Sequence, residues 1–191
     1  METELFLPPS EISGPIKHSL DTTSVKLHTS YRTFVPQTEP GNAIMGVLAE
    51  VWEFYRSNWK IKDMDIIEWH ANNQLWRLIN ETVKNGMLYG GRERVDVGIF
   101  LGMEGACFGF RDYGDYFKRD EVKKAWESRD YVSLRRKVQT RITNGYFVCG
   151  GGYGIGEIFN NSDIIQVDNS KGVLYLVQLK ERLMGRAKMQ A

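Results

Sequence analysis

Residues 93–102, ERVDVGIFLG, and 105–114, GACFGFRDYG, decide the fold. In both, the hydrophobic pattern leaves the helical period and takes up that of a strand, and Met103–Glu104–Gly105 offers a short turn between them. Upstream the pattern is helical. Residues 42–59, NAIMGVLAEVWEFYRSNW, place Ile44, Val47, Leu48, Val51, Trp52 and Tyr55 on one face. A second helix is expected from about Asp63 to Met87, with a wide apolar stripe through Trp69, Leu75, Leu78, Ile79 and Val83. His70 lies in that stripe and reads as a packed or capping histidine. Before these, residues 23–35, TSVKLHTSYRTFV, alternate well enough for a first strand, and Pro36 and Pro40–Gly41 punctuate the chain.

Downstream, residues 118–141 look helical and strongly charged, and 144–156, NGYFVCGGGYGIG, are glycine-rich. IGEIFNNS follows as a short helix, and DIIQVDNSKGVLYLVQLK as a closing hairpin turning at Asn169–Gly172. Antiparallel strand pairs with helices to one side predict an α+β two-layer sandwich. Residues 1–22, rich in Pro, Ser and Thr, are expected to form a loose N-terminal arm, residues 23–181 one domain, and 182–191 a charged tail.

The chain has 191 residues, enough for one domain with a real core. Hydrophobic residues at 42% and charged residues at 26% exclude the disordered and membrane-spanning classes by composition. No apolar run is long enough to cross a bilayer, and the acidic, proline-bearing start lacks the features of a signal peptide, so a cytoplasmic location with no membrane partner is expected. A net charge of +1 gives no reason to expect nucleic acid as a partner. Cys107, Cys149, His18, His28 and His70 form no ligand-spaced zinc cluster.

Three separated segments carry chemistry. In the first, Glu81 and Asn85 are one helical turn apart and share a face. A carboxamide oxygen suits Mg²⁺, and a carboxylate beside it can orient or deprotonate a hydroxyl. Such a pair is equally an ordinary polar helix face. The second segment, Asp112–Tyr113–Gly114, leaves a strand. It is a common turn, and it is also what an adenine needs: an acceptor for the exocyclic amine beside backbone with no side chain in the way. The third, Gly152–Tyr153–Gly154–Ile155–Gly156, lets backbone N–H groups converge on phosphate oxygens, or serves as a structural glycine loop. It fits neither the Rossmann nor the P-loop fingerprint.

In this order the segments resemble the boxes of the histidine-kinase-like (GHKL) ATPase superfamily. The N box reads E-T-V-K-N-G-M-L-Y-G (81–90), the G1 box D-Y-G-D-Y-F (112–117) and the G2 box G-Y-G-I-G-E-I (152–158), over a resemblance spanning about residues 24–180. The layout is most similar to the stand-alone anti-sigma-factor serine/threonine kinases. The resemblance implies a Bergerat-type ATP-binding fold with a mixed, mainly antiparallel sheet, and a site for ATP and Mg²⁺. Glu81 would be the general base and Asn85 the Mg²⁺ ligand, with Tyr89 closing the N box. Asp112 would take the adenine amine and Gly114 leave room for the base. Gly152, Gly154 and Gly156 would wrap the phosphates and hinge a lid of about residues 117–150, with Tyr153 and Ile155 also in the ATP-binding loop. Lys118 and Arg119 could reach a phosphate or belong to a solvated charge run.

The sequence departs from the family pattern in four places. Tyr116 stands for the second G1 glycine, Tyr89 for the histidine of the anti-sigma branch, Val173–Leu174 for a threonine, and Gly86 for an alanine. The last should weaken the helix by about 1 kcal/mol. The implied function is a protein serine/threonine kinase or ATPase whose partner is a regulatory protein, sigma-factor-like or anti-sigma-antagonist-like, with a homodimer left open. The departures at Tyr116 and Val173 favour an alternative, a nucleotide-sensing module whose output is protein binding. A pure interaction domain without nucleotide is the third reading.

Overall fold

The computed structural model describes residues 5–16, 27–35, 40–59, 66–89, 94–114, 119–128, 141–143, 146–148 and 154–184. In chain order the elements are α1 (Ser10–Ile16), β1 (His28–Phe34), α2 (Pro40–Trp59), α3 (Ile66–Asn73), α4 (Leu75–Tyr89), β2 (Val95–Gly102), β3 (Gly105–Arg111), α5 (Arg119–Ser128), β4 (Arg141–Thr143), β5 (Tyr146–Val148), α6 (Gly154–Asn160), β6 (Ile164–Asp168), β7 (Val173–Leu179) and α7 (Lys180–Leu183). Five strands form one open sheet in the order β1-β2-β3-β7-β6, and β4 and β5 make a separate small hairpin. Every pairing among the described residues is antiparallel.

Strand alternation sorts the side chains of the central hairpin. Val95, Val97, Ile99 and Leu101 of β2, with Ala106, Phe108 and Phe110 of β3, face the helices and pack with Val47, Leu48, Val51, Leu78, Ile79 and Val83 of α2 and α4. The α+β class with helices packed on an antiparallel sheet therefore stands.

The other face of the sheet is covered as well. Phe6, Ile12 and Ile16 pack there with Phe100, Cys107, Val173, Tyr175 and Val177. Residues 5–16 of the expected loose arm are thus seated on the sheet. Two cross-strand glycine pairs make room for them, Gly98 opposite Gly109 and Gly102 opposite Gly105. A Cβ on Gly109 would lie 2.6 Å from the Phe6 ring, and one on Gly102 only 2.0 Å from the Ile16 carbonyl oxygen. The Tyr175 hydroxyl then donates to the Leu7 carbonyl at 2.9 Å, and Glu104 N–H to the Ile16 carbonyl at 3.0 Å.

The single helix expected over 63–87 is two helices. Gln74 has φ of 58°, which stops α3 and starts α4 in a new direction. Trp69 and Leu75 lie six positions apart, about 120° apart around an unbroken helix. The break lets both enter the core, at 1% and 0% exposure. Ala71-Asn72-Asn73-Gln74 is the weak point, because asparagine competes for local backbone hydrogen bonds. Of the charged helix expected over 118–141, the described part includes α5, Arg119–Ser128, while Arg141 belongs to β4, and 118 and 129–140 lie outside the described residues. The first strand begins at His28, later than the sequence pattern suggests.

Candidate functional site

The site is built on α4. Leu78, Ile79 and Val83 anchor that helix to the sheet, which leaves Glu81 and Asn85 on the side that meets α6. Gly154, the first residue of α6, rests directly on them. A Cβ at Gly154 would stand 2.7 Å from Glu81 Oε2 and 3.1 Å from Asn85 Nδ2. Any other residue there would have to push the carboxylate aside. Asn85 is 8% exposed, and its Nδ2 has no hydrogen-bond partner among the described residues. A half-turn of the amide exchanges Nδ2 with Oδ1, so this position can present an oxygen to a cation.

The next residue, Gly86, brings in the third segment. A Cβ there would lie 2.7 Å from Val95 Cγ2 and 3.3 Å from Asp112 Cβ. Gly86 is thus what allows α4 to approach β2 and Asp112. Asp112 follows β3 and is 1% exposed, with Oδ1 accepting the Gly114 N–H at 3.1 Å. Residues 81–86 of α4 thus touch Gly154 through Glu81 and Asn85, and Asp112 through Gly86.

Charged groups line the same seam. Lys84 Nζ lies 3.6 Å from Glu81 Oε1, and Asn80 donates to that oxygen at 3.2 Å. Arg77 and Glu157 approach to 3.8 Å across α4 and α6. The sequence reading did not single out Arg77, Lys84 or Glu157. Helical spacing from Glu81 flags the first two, and no sequence signal joins Glu157 to α4.

Of the other expected site residues, Gly156 lies in the first turn of α6. Tyr89 ends α4 and Ile155 lies within α6, with side chains outside the described residues. Tyr116, Lys118, Gly152 and Tyr153 lie outside the described residues altogether, as does most of the expected lid. Val173 belongs to the cluster under Phe6, on the sheet face away from α4, and Leu174 is buried in the main core.

Behind Asp112 sits a buried polar group that sequence reading missed. Asp96 is fully buried and accepts from Arg94 at 2.8 and 2.9 Å and from Thr33 Oγ1 at 2.7 Å. The Tyr113 hydroxyl also donates to it. Burial alone would raise the Asp96 carboxyl, but the hydrogen bonds from Arg94, Tyr113 and Thr33 outweigh it and hold the group below its ordinary value. Burial, and then the bond to Asp96, push the Tyr113 phenol up. Arg94 precedes β2 and lies two positions from Asp96, a spacing that sequence could have shown to share one side. The left-handed turn at Tyr113 left no such signal.

Comparison with family models, curated proteins and solved structures found no match to this chain. Among the described residues, no group of three or more His, Cys, Asp or Glu side chains could hold a metal ion, and no helix is long and apolar enough to cross a membrane.

Proposed function

We propose that the chain is an ATP- and Mg²⁺-dependent protein serine/threonine kinase or ATPase of the GHKL type, with a Bergerat-type fold. One observation carries the reading: Gly154 rests on Glu81 and Asn85, and Asp112 lies against Gly86, the next residue of the same helix. An Asn85 Nδ2 without a partner among the described residues and a glycine seated on a carboxylate are compatible with a triphosphate and its cation. In this reading Asn85 holds Mg²⁺ and Glu81 orients or deprotonates the acceptor hydroxyl. Asp112 takes the adenine amine, Gly114 leaves room for the base, and Gly154 and Gly156 lie along the phosphates. The bound cation supplies charge neutralisation at the phosphates. The acceptor is a regulatory partner protein, met in the cytoplasm.

Thermal unfolding with ATP, ADP and GTP plus Mg²⁺ tests the reading. ATP at a hundred times its dissociation constant should stabilise the fold by about 2.7 kcal/mol. Absence of a shift with every nucleotide would leave a pure interaction domain. Turnover should be lost in Glu81→Ala while ATP binding persists.

A second reading, a nucleotide-sensing module without turnover, draws on the state of Glu81. One of its oxygens already accepts from Asn80 and faces Lys84, so it is engaged within α4 rather than open to an acceptor hydroxyl. Binding of ATP with no hydrolysis or transfer, in wild type and Glu81→Ala alike, would favour this reading.

A further inference from the structure

We propose that Tyr113 is a positioning residue for Asp112, latched by the buried Asp96, and that this latch determines selectivity for adenine over guanine. The proposal rests on the reading of Asp112 as the base-binding carboxylate.

The backbone at Tyr113 has φ of 60°. This left-handed conformation is uncommon for a residue with a Cβ and needs surroundings that hold it. Asp112 and Tyr113 part to opposite sides as the chain leaves β3. The Asp112 Cβ lies beside Gly86 of α4. The Tyr113 ring goes the other way, with the Arg94 and Arg111 guanidinium carbons 5.5 and 5.0 Å from its centroid. Both distances suit a cation–π contact. Its hydroxyl ends on Asp96, itself pinned by Arg94 and by Thr33 of β1. Groups from β2 and its approach and from the end of β3 therefore converge on one phenol, and Thr33 of β1 holds the Asp96 that it reaches.

The turn at Tyr113 brings the Gly114 N–H back to Asp112 Oδ1 at 3.1 Å. That bond is one of the contacts that orient the Asp112 carboxylate. Adenine offers an amine donor where guanine offers a carbonyl acceptor, so a carboxylate held in one orientation attracts the first and repels the second. A carboxylate free to turn away loses most of that discrimination. A buried ion pair such as Arg94–Asp96 adds little net stability compared with apolar packing, and its position behind the base-binding carboxylate gives it a use.

Calorimetric binding of Mg-ATP and Mg-GTP to the full chain tests this, with the melting temperature of each variant as control. Wild type should prefer ATP, and Asp112→Asn should lose the preference. Tyr113→Phe keeps the ring between the guanidiniums and removes the donor. It should weaken ATP about tenfold, one hydrogen bond's worth, and leave GTP unchanged. Thr33→Val, remote from the base, should shift the ATP:GTP ratio the same way by less. A merely structural tyrosine would weaken both nucleotides equally. Equal weakening, or an unchanged ratio in Tyr113→Phe, overturns the latch, and the reading of Asp112 survives if Asp112→Asn still loses the preference. An unchanged ratio in Asp112→Asn overturns that reading, and the latch falls with it. Should Tyr113→Phe not fold, the ratio in Thr33→Val decides: a shift toward GTP supports the latch and no shift overturns it.

Discussion

At Gly154 the absence of one methyl group sets how near α6 comes to the polar side of α4. The atom in the way of a Cβ is Glu81 Oε2, the far end of a side chain that can move. Gly154→Ala should therefore cost less than about 1 kcal/mol of stability while displacing the carboxylate, so that under the proposed function turnover falls at nearly unchanged melting temperature. A large drop in melting temperature would show that the glycine serves packing alone. Gly86 is the opposite case. Its neighbour is Val95 Cγ2, on a stiff buried side chain. Gly86→Ala would gain about 1 kcal/mol of helix propensity, set against overpacking of about 1–3 kcal/mol. No net gain in urea-unfolding stability is expected, and a gain of the full propensity term would show that the contact with β2 is slack. Sequence spacing alone supported only the pairing of Glu81 with Asn85. It held no information on Gly86 beside Asp112, because that contact depends on how close a helix lies to a sheet.

Among the elements, α1 and the segment before it make the largest difference between expectation and structure. A stretch rich in Pro, Ser and Thr suggests a loose arm, yet Phe6, Ile12 and Ile16 are buried on the sheet. The signal was present in β2 and β3, where glycine recurs on the face away from the helices at 98, 102, 105 and 109. A half-solvated sheet would carry polar side chains there. Phe6→Ala should cost about 3 kcal/mol, read from the urea midpoint at constant m-value. A cost under about 0.5 kcal/mol would mean that the arm adheres without contributing to the fold. The division of the second helix at Gln74 was partly legible in Asn72–Asn73, whereas its direction was set by the need to bury both Trp69 and Leu75.

For the whole molecule, stability against pH follows from groups whose titration differs between folded and unfolded chain. Burial would raise Asp168, but Ser170 and Lys171 bond or face it and the net shift is downward, as at Asp96. Groups lowered on folding contribute stability above their unfolded value, near 4 for a carboxyl, and lose it as pH falls through the folded value. Burial raises Tyr31, Tyr113 and Tyr175, so stability should also fall as pH rises past about 10, where the unfolded phenols ionise first. A plateau between about pH 5 and 9 is expected. Asp96→Asn should cost about 3–5 kcal/mol at pH 7, since it removes the charge that Arg94 faces in a buried pair, and the difference from wild type should shrink toward pH 3. A pH-independent difference would show that the carboxylate charge is irrelevant. By itself the sequence determined the α+β class, the central hairpin and the closing one, because alternation and turn chemistry are local along a chain. Only the tertiary structure decided that an N-terminal segment covers the second sheet face, that Gly154 rests on Glu81 and Asn85, and that Asp96 reaches Tyr113. Those contacts join residues far apart in sequence, and close approach between them is set by the packing of whole elements, which no local pattern records.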